Sequence, residues 1–178
     1  MAMSKLWEDT RDLHHACEAH PVGAAMASGK PPKQWYSSWL EMLYQYHYAL
    51  DPHLPESVHR AERLSQDMIS MDTPIEKSDV AKQYAATLVD EKSIAGASYV
   101  LTGAHLMGGE VMRRRLDGYP VKHLEWDDRK IALSVLQTLR VRTDISKEAR
   151  DCFKALLDGM DEIVARYPVP IQQEALVV

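Results

Sequence analysis

The chain has 178 residues, 46% hydrophobic and 26% charged, a balance that suits one globular domain with a continuous core. A formal charge of −5 and a pI near 5.9 argue against nucleic acid as a partner, and the longest basic run is only Arg113-Arg114-Arg115. The longest apolar stretches, such as 22–27, are far too short to span a bilayer, and the opening residues lack the apolar segment of a signal peptide. A soluble, cytoplasmic protein that does not engage a membrane is expected. Cys17 and Cys152 fit no paired motif and read as reduced thiols. Eight Tyr and four Trp against one Phe give aromatic residues with polar tips, suited to the wall of a pocket.

The periodicity is helical nearly throughout, with no repeat, linker or strand alternation, so the predicted class is an all-α bundle forming a single domain over 1–178. Ser4 caps a first helix to about Glu18, with Leu6, Thr10, Leu13, His14 and Cys17 on one stripe; His20-Pro21 ends it. Pro31-Pro32 opens a second, whose inner face is Trp35, Trp39, Leu43, Tyr46, His47 and Leu50, and which Pro52 and Pro55 break. A third helix is predicted over 56–71, a fourth over 78–91, a fifth over 94–116, a sixth over 124–142 and a seventh over 146–167. The tail, 168–178, reads as extended.

Two helices carry residues with chemical potential. The fifth contains Gly103, Gly108 and Gly109, which together cost roughly 2–3 kcal/mol relative to alanine in a helix interior. Such a cost is met where a helix kinks or packs closely, or where its backbone approaches something flat and bulky. In the first, His14 falls on the inward stripe and His15 on the wetter side with Glu8, Arg11 and Glu18. A histidine so placed is either a satisfied core residue or an iron ligand through one nitrogen, the other donating to a carboxylate such as Glu18 one turn on.

The run Thr10-Arg11-Asp12-Leu13-His14-His15-Ala16-Cys17-Glu18 resembles the first-helix signature of haem oxygenases. The stretch 43–50, Leu-Tyr-Gln-Tyr-His-Tyr-Ala-Leu, is similar to that family's second-helix pattern. The segment from Tyr99 to Glu110 resembles its distal helix, whose glycines lie over the porphyrin, and Phe153 stands where the family often has an aromatic residue. Two departures stand out. The glycine spacing, Gly103-Ala-His-Leu-Met-Gly108-Gly109, is one residue longer than the family's. Anchored on Gly108-Gly109, His105 takes the place of the distal aspartate, and His47 aligns with a tyrosine.

The resemblance implies haem as both substrate and cofactor, with no other metal, and His14 as the proximal ligand of its iron. It implies Glu18, Tyr99, Gly103, Gly108 and Gly109 around the haem, Arg11 and Arg129 toward the propionates, and His105 and His47 on the oxygen side. The implied reaction opens the ring with O2 and electrons from a donor such as ferredoxin. Its products are biliverdin, carbon monoxide and ferrous iron, for bilin pigment synthesis or iron release. Rival readings are a non-haem diiron oxidase drawing on Glu41, His47, His105 and Glu110, a thiamine-degrading enzyme using Cys17, and a haem carrier without turnover. The carboxylate–histidine separations within each helix do not place either pair on one face.

Overall fold

A computed structural model describes residues 4–169, which form nine α-helices and no strand. Helix α1, Lys5–Ala19, starts where the Ser4 hydroxyl accepts the Trp7 N–H, and ends at His20, held extended before proline. No helix is predicted between Pro21 and Pro31, yet α2, Pro21–Ser28, lies there. Proline fits its first turn, His20 Nδ1 accepts the Val22 N–H, and Gly29 closes it at φ 78°. A Cβ on Gly23 would lie 2.0 Å from the Cys17 carbonyl oxygen, so glycine is what lets α2 fold back on α1.

Helix α3, Lys33–Leu50, buries Trp35, Tyr36, Leu40, Leu43, Tyr46, His47 and Leu50. Two 3-10 turns, Asp51–His53 and Glu56–Val58, occupy the start of the predicted third helix. Helix α4, Ala61–Ser70, begins only where Asp51 Oδ2 accepts the N–H groups of Arg60 and Ala61, at 2.9 and 2.8 Å. This cap comes from the end of α3, which local spacing does not reveal. Helix α5, Asp79–Ala85, is shorter than predicted because Asp90 and Ser93 form a reciprocal capping box that starts α6, Glu91–Gly103.

The predicted fifth helix is in fact α6, a π-turn at Ala104–Gly108, and α7, Gly109–Arg115. The Gly109 N–H reaches back five residues to the Ala104 carbonyl, a wider turn that takes up one extra residue. Helix α8, Arg129–Arg140, is capped by Asp128 and not begun at Leu124, which belongs to a 3-10 turn, Lys122–Leu124. Helix α9, Ser146–Arg166, closes the chain at almost its predicted limits. Of the tail predicted to be extended, residues 170–178 lie outside the described part.

Helix α9 is the central element, packed on α6, α1, α5 and α3. Two glycines permit this: a Cβ on Gly96 of α6 would lie 2.7 Å from the Ala149 nitrogen, and one on Gly159 of α9 2.3 Å from Met42 Sδ. Close small-residue packing thus belongs to these positions. Among the described residues, no helix is long and apolar enough to cross a membrane.

Candidate functional site

On α1 the i, i+4 spacing sets Glu18 one turn after His14, with its carboxylate 3.7 Å from His14 Nδ1. The ring stands edge-on to Trp7 and Phe153, at centroid distances of 5.0 and 6.0 Å. Nδ1 is shielded from solvent and lacks a hydrogen-bond partner, while the side chain is 35% exposed. The exposure therefore falls on the rest of the ring, leaving Nε2 for an external ligand. His15 is on the exposed surface. The polar atoms of His14, His15 and Glu18 gather within 4.8 Å of one another.

The π-turn carries a second exposed face. Ala104, Met107, Gly108 and Val111 form one exposed face, and a Cβ on Gly108 would meet nothing within 4 Å. The three glycines of this helix separate by role. Gly108 faces open space, Gly109 is buried with Leu124 Cδ2 3.2 Å from where its Cβ would be, and Gly103 has ordinary room beside Leu136. The helix is stapled from α8, whose Arg129 donates to the Leu106 carbonyl at 3.1 Å. A shielded Nδ1 beside a carboxylate, an open imidazole edge and, on the π-turn, an apolar face open at Gly108 suit an imidazole-ligated planar group.

Behind the π-turn lies a wall of buried polar groups. His47 and His105 are 2% and 4% exposed, His123 not at all. Their rings stand perpendicular in a row, His47 to His105 at 4.9 Å and His105 to His123 at 5.8 Å between centroids. His105 Nδ1 donates to the Leu101 carbonyl at 2.9 Å, and His123 Nδ1 to Asp67 Oδ2 at 2.7 Å. His47 Nδ1 lies 3.5 Å from Asp51 Oδ1. Burial lowers the pKa of all three. The nearby carboxylates oppose this at His47 and His123, whereas His105, beside two imidazoles and without a carboxylate, falls well below the usual histidine range.

The wall is held by Asp67, which also accepts the N–H groups of Lys122 and His123, and by the buried Arg60. The Arg60 guanidinium donates to the carbonyls of Val58, Ser57, His123 and Glu125 and lies over the Trp126 ring; burial pulls its pKa down to about 10. The sequence reading singled out His47 and His105 but missed His123, Asp67 and Arg60. His123 lies in a turn without periodicity. Asp67 did leave a signal, as a carboxylate on the apolar stripe of Leu64, Met68 and Met71.

Of the remaining predicted residues, Arg11 is exposed on α1 one turn before His14, and Tyr99 is buried beside Thr10 beneath that helix. In the basic run, Arg113 and Arg114 pair with Glu110, while Arg115 donates to the Ala27 carbonyl of α2. The carboxylates a diiron site would need are engaged elsewhere. Glu41 accepts from Ser78 N and Gln45, and Glu110 faces the arginines. Cys17 points toward the Phe153 carbonyl, and burial raises the pKa of both thiols to about 12, unsuited to nucleophilic attack.

No protein-family model matches the chain, and no curated protein matches it. Solved structures do. The chain is similar to the haem oxygenase from Leptospira interrogans, with a TM-score of 0.74 and 18% identity over 88% of this chain and 97% of that one. It is similar to haem oxygenase-1 from the cyanobacterium Synechocystis in complex with haem, with a TM-score of 0.76 and 16% identity over 91% of each chain. It is also similar to haem oxygenase-2 from Synechocystis in complex with haem and NO, with a TM-score of 0.74 and 20% identity over 92% of this chain and 86% of that one. The all-helical chain has the haem oxygenase fold.

Proposed function

We propose that this protein is a haem-degrading oxygenase that converts haem to biliverdin, carbon monoxide and ferrous iron. The observation that carries the reading is His14, with its Nδ1 shielded beside Glu18 and the rest of its ring open, on the fold of proteins solved with haem. Bound haem supplies both the iron that activates oxygen and the porphyrin edge that is oxidised. His14 would hold the iron through Nε2, with the Glu18 carboxylate, 3.7 Å from Nδ1, placed to orient the ring. Trp7 and Phe153 set the plane of the ring.

On the π-turn, Gly108 leaves space that a side chain would fill, while Gly109 lets the helix lie close against Leu124. Arg129 maintains the π-turn by its bond to Leu106, and the rest of its fork would be available to a propionate. Arg11, exposed on α1, would serve as a second basic group for a propionate. Tyr99 supports the proximal helix from below. His105 and His47, buried behind the π-turn, would set the polarity on the oxygen side. Arg114, 73% exposed, marks a basic patch for an acidic electron donor such as ferredoxin.

The test is turnover. Apoprotein loaded with haemin and given reduced ferredoxin or ascorbate in air should lose its Soret band and gain a biliverdin spectrum. A Soret band that persists under these conditions overturns the enzymatic reading in favour of a carrier.

A further inference from the structure

Helix α1 brings three metal-ligating side chains to one place on the surface. His14, His15 and Glu18 set their donor atoms within 4.8 Å of one another, the one such cluster among the described residues. Glu18 follows His14 by four residues and His15 by three, so its carboxylate lies within reach of each. Adjacent residues do not ordinarily face each other on a helix. Here Trp7, two turns earlier, gathers them. It stands edge-on to both rings, at 5.0 and 6.3 Å, and the two imidazole centroids are 5.9 Å apart. Nδ1 of His14, shielded and without a hydrogen-bond partner, lies 3.7 Å from the Glu18 carboxylate. Among the described residues, no lysine or arginine pairs with Glu18.

We infer that His14, His15 and Glu18 hold a divalent transition-metal ion, of which zinc is the type, in the haem-free protein, and that this ion and haem exclude each other. Two imidazoles and a carboxylate are the donors of a zinc site whose fourth position is left to water. Imidazole favours zinc, nickel and copper over ferrous iron, and leaves out magnesium and calcium, which take oxygen donors. A tetrahedral ion with bonds of about 2.0–2.1 Å holds its donors about 3.3 Å apart. From their 4.8 Å spread the three must close in by up to about 1.5 Å. Glu18 is 65% exposed and His15 is exposed as well, so both can swing in by side-chain rotation without disturbing the core.

The exclusion follows from His14. A neutral imidazole has one bare nitrogen, since the other carries its proton. His14 therefore serves either the surface ion or a haem iron. Bound haem leaves only His15 and Glu18 to the ion, too few donors to retain it, and an ion-loaded chain has no imidazole to offer haem. The ion thus sets how much of the haem-free protein can accept haem. His15, outside the haem site, is the residue that completes the metal site. The exclusion rests on the haem-oxygenase reading; the metal site itself does not.

The experiment is calorimetric titration of the haem-free full chain with zinc, followed by haemin titration in the Soret region with and without zinc. The wild type should bind one ion, and His14→Ala and His15→Ala, each folded by circular dichroism, should lose it. With zinc about tenfold above its Kd, the apparent Kd for haemin should rise about tenfold in the wild type and stay unchanged in His15→Ala. Magnesium in place of zinc should neither bind nor compete. Zinc held equally well by His15→Ala, or held by the wild type with no effect on its haemin affinity, would overturn the inference. A chain that takes up no haemin at all would defeat the haem reading, and loss of zinc from the two variants would still support the metal site. A normal haemin titration in a wild type that binds no zinc would defeat the inference alone.

Discussion

The two sides of the proposed site are built by opposite means. On the proximal side, His14 and Glu18 belong to one helix, the first partly and the second well exposed, and four residues of spacing bring them together. Behind the distal helix, His47, His105 and His123 come from α3, the π-turn and a 3-10 turn, are almost wholly buried, and depend on Asp51, Asp67 and Arg60. The first arrangement contributes little to folding and is free to serve a ligand. The second is bound up with the stability of the fold, so changes there act on both.

This difference is open to direct attack, beginning with stability. Asp67→Ala strips the acceptor from His123 Nδ1 and from two buried backbone N–H groups. It should cost about 3–5 kcal/mol in urea unfolding. His14→Ala, at a partly exposed position, should cost well under that. Equal losses at the two sites would break the comparison. Gly96→Ala drives a methyl group against the Ala149 backbone and should cost about 1–3 kcal/mol, read as a lowered Tm.

Acid should act on the distal wall first. The folded-state pKa values of His47, His105 and His123 are lowered, so the unfolded chain binds more protons below about pH 6.5. Their contribution is complete above that value and declines as pH falls toward the folded pKa values, by up to about 1.4 kcal/mol per pH unit for each group. Urea midpoints at pH 7.5 and 5.5 check the sign. A midpoint that rises on acidification would contradict it.

The smallest effect on stability is the most discriminating. Gly108→Ala sits in helical backbone facing open space and should leave stability unchanged or raise it by up to about 1 kcal/mol. The same variant should bind haemin more weakly, because the methyl group occupies the face proposed for the porphyrin. Weaker binding together with a loss of stability would mean that the glycine serves packing alone.

How much of this was legible in the sequence follows the same division. The helical class, the inward turn of His14, the outward turn of His15 and the limits of α9 all follow from spacing within one helix. Residues that act across the chain left little local trace. Asp51 caps α4 from the end of α3, α2 follows a proline that reads as a stop, and His123 sits in an aperiodic turn. The longer glycine spacing was visible but had no interpretation until the π-turn supplied one. The glycines that do permit close helix packing, Gly96 and Gly159, were passed over because neither belongs to a cluster.

The proposed function stands on His14 as the residue that holds the iron of a bound haem. Haemin titration of the wild-type apoprotein and of His14→Ala, followed in the Soret region, tests it most directly. A histidine-ligated Soret band is expected in the wild type, and its loss in a variant that remains folded by circular dichroism. An identical band in His14→Ala, or no band in the wild type, would contradict it.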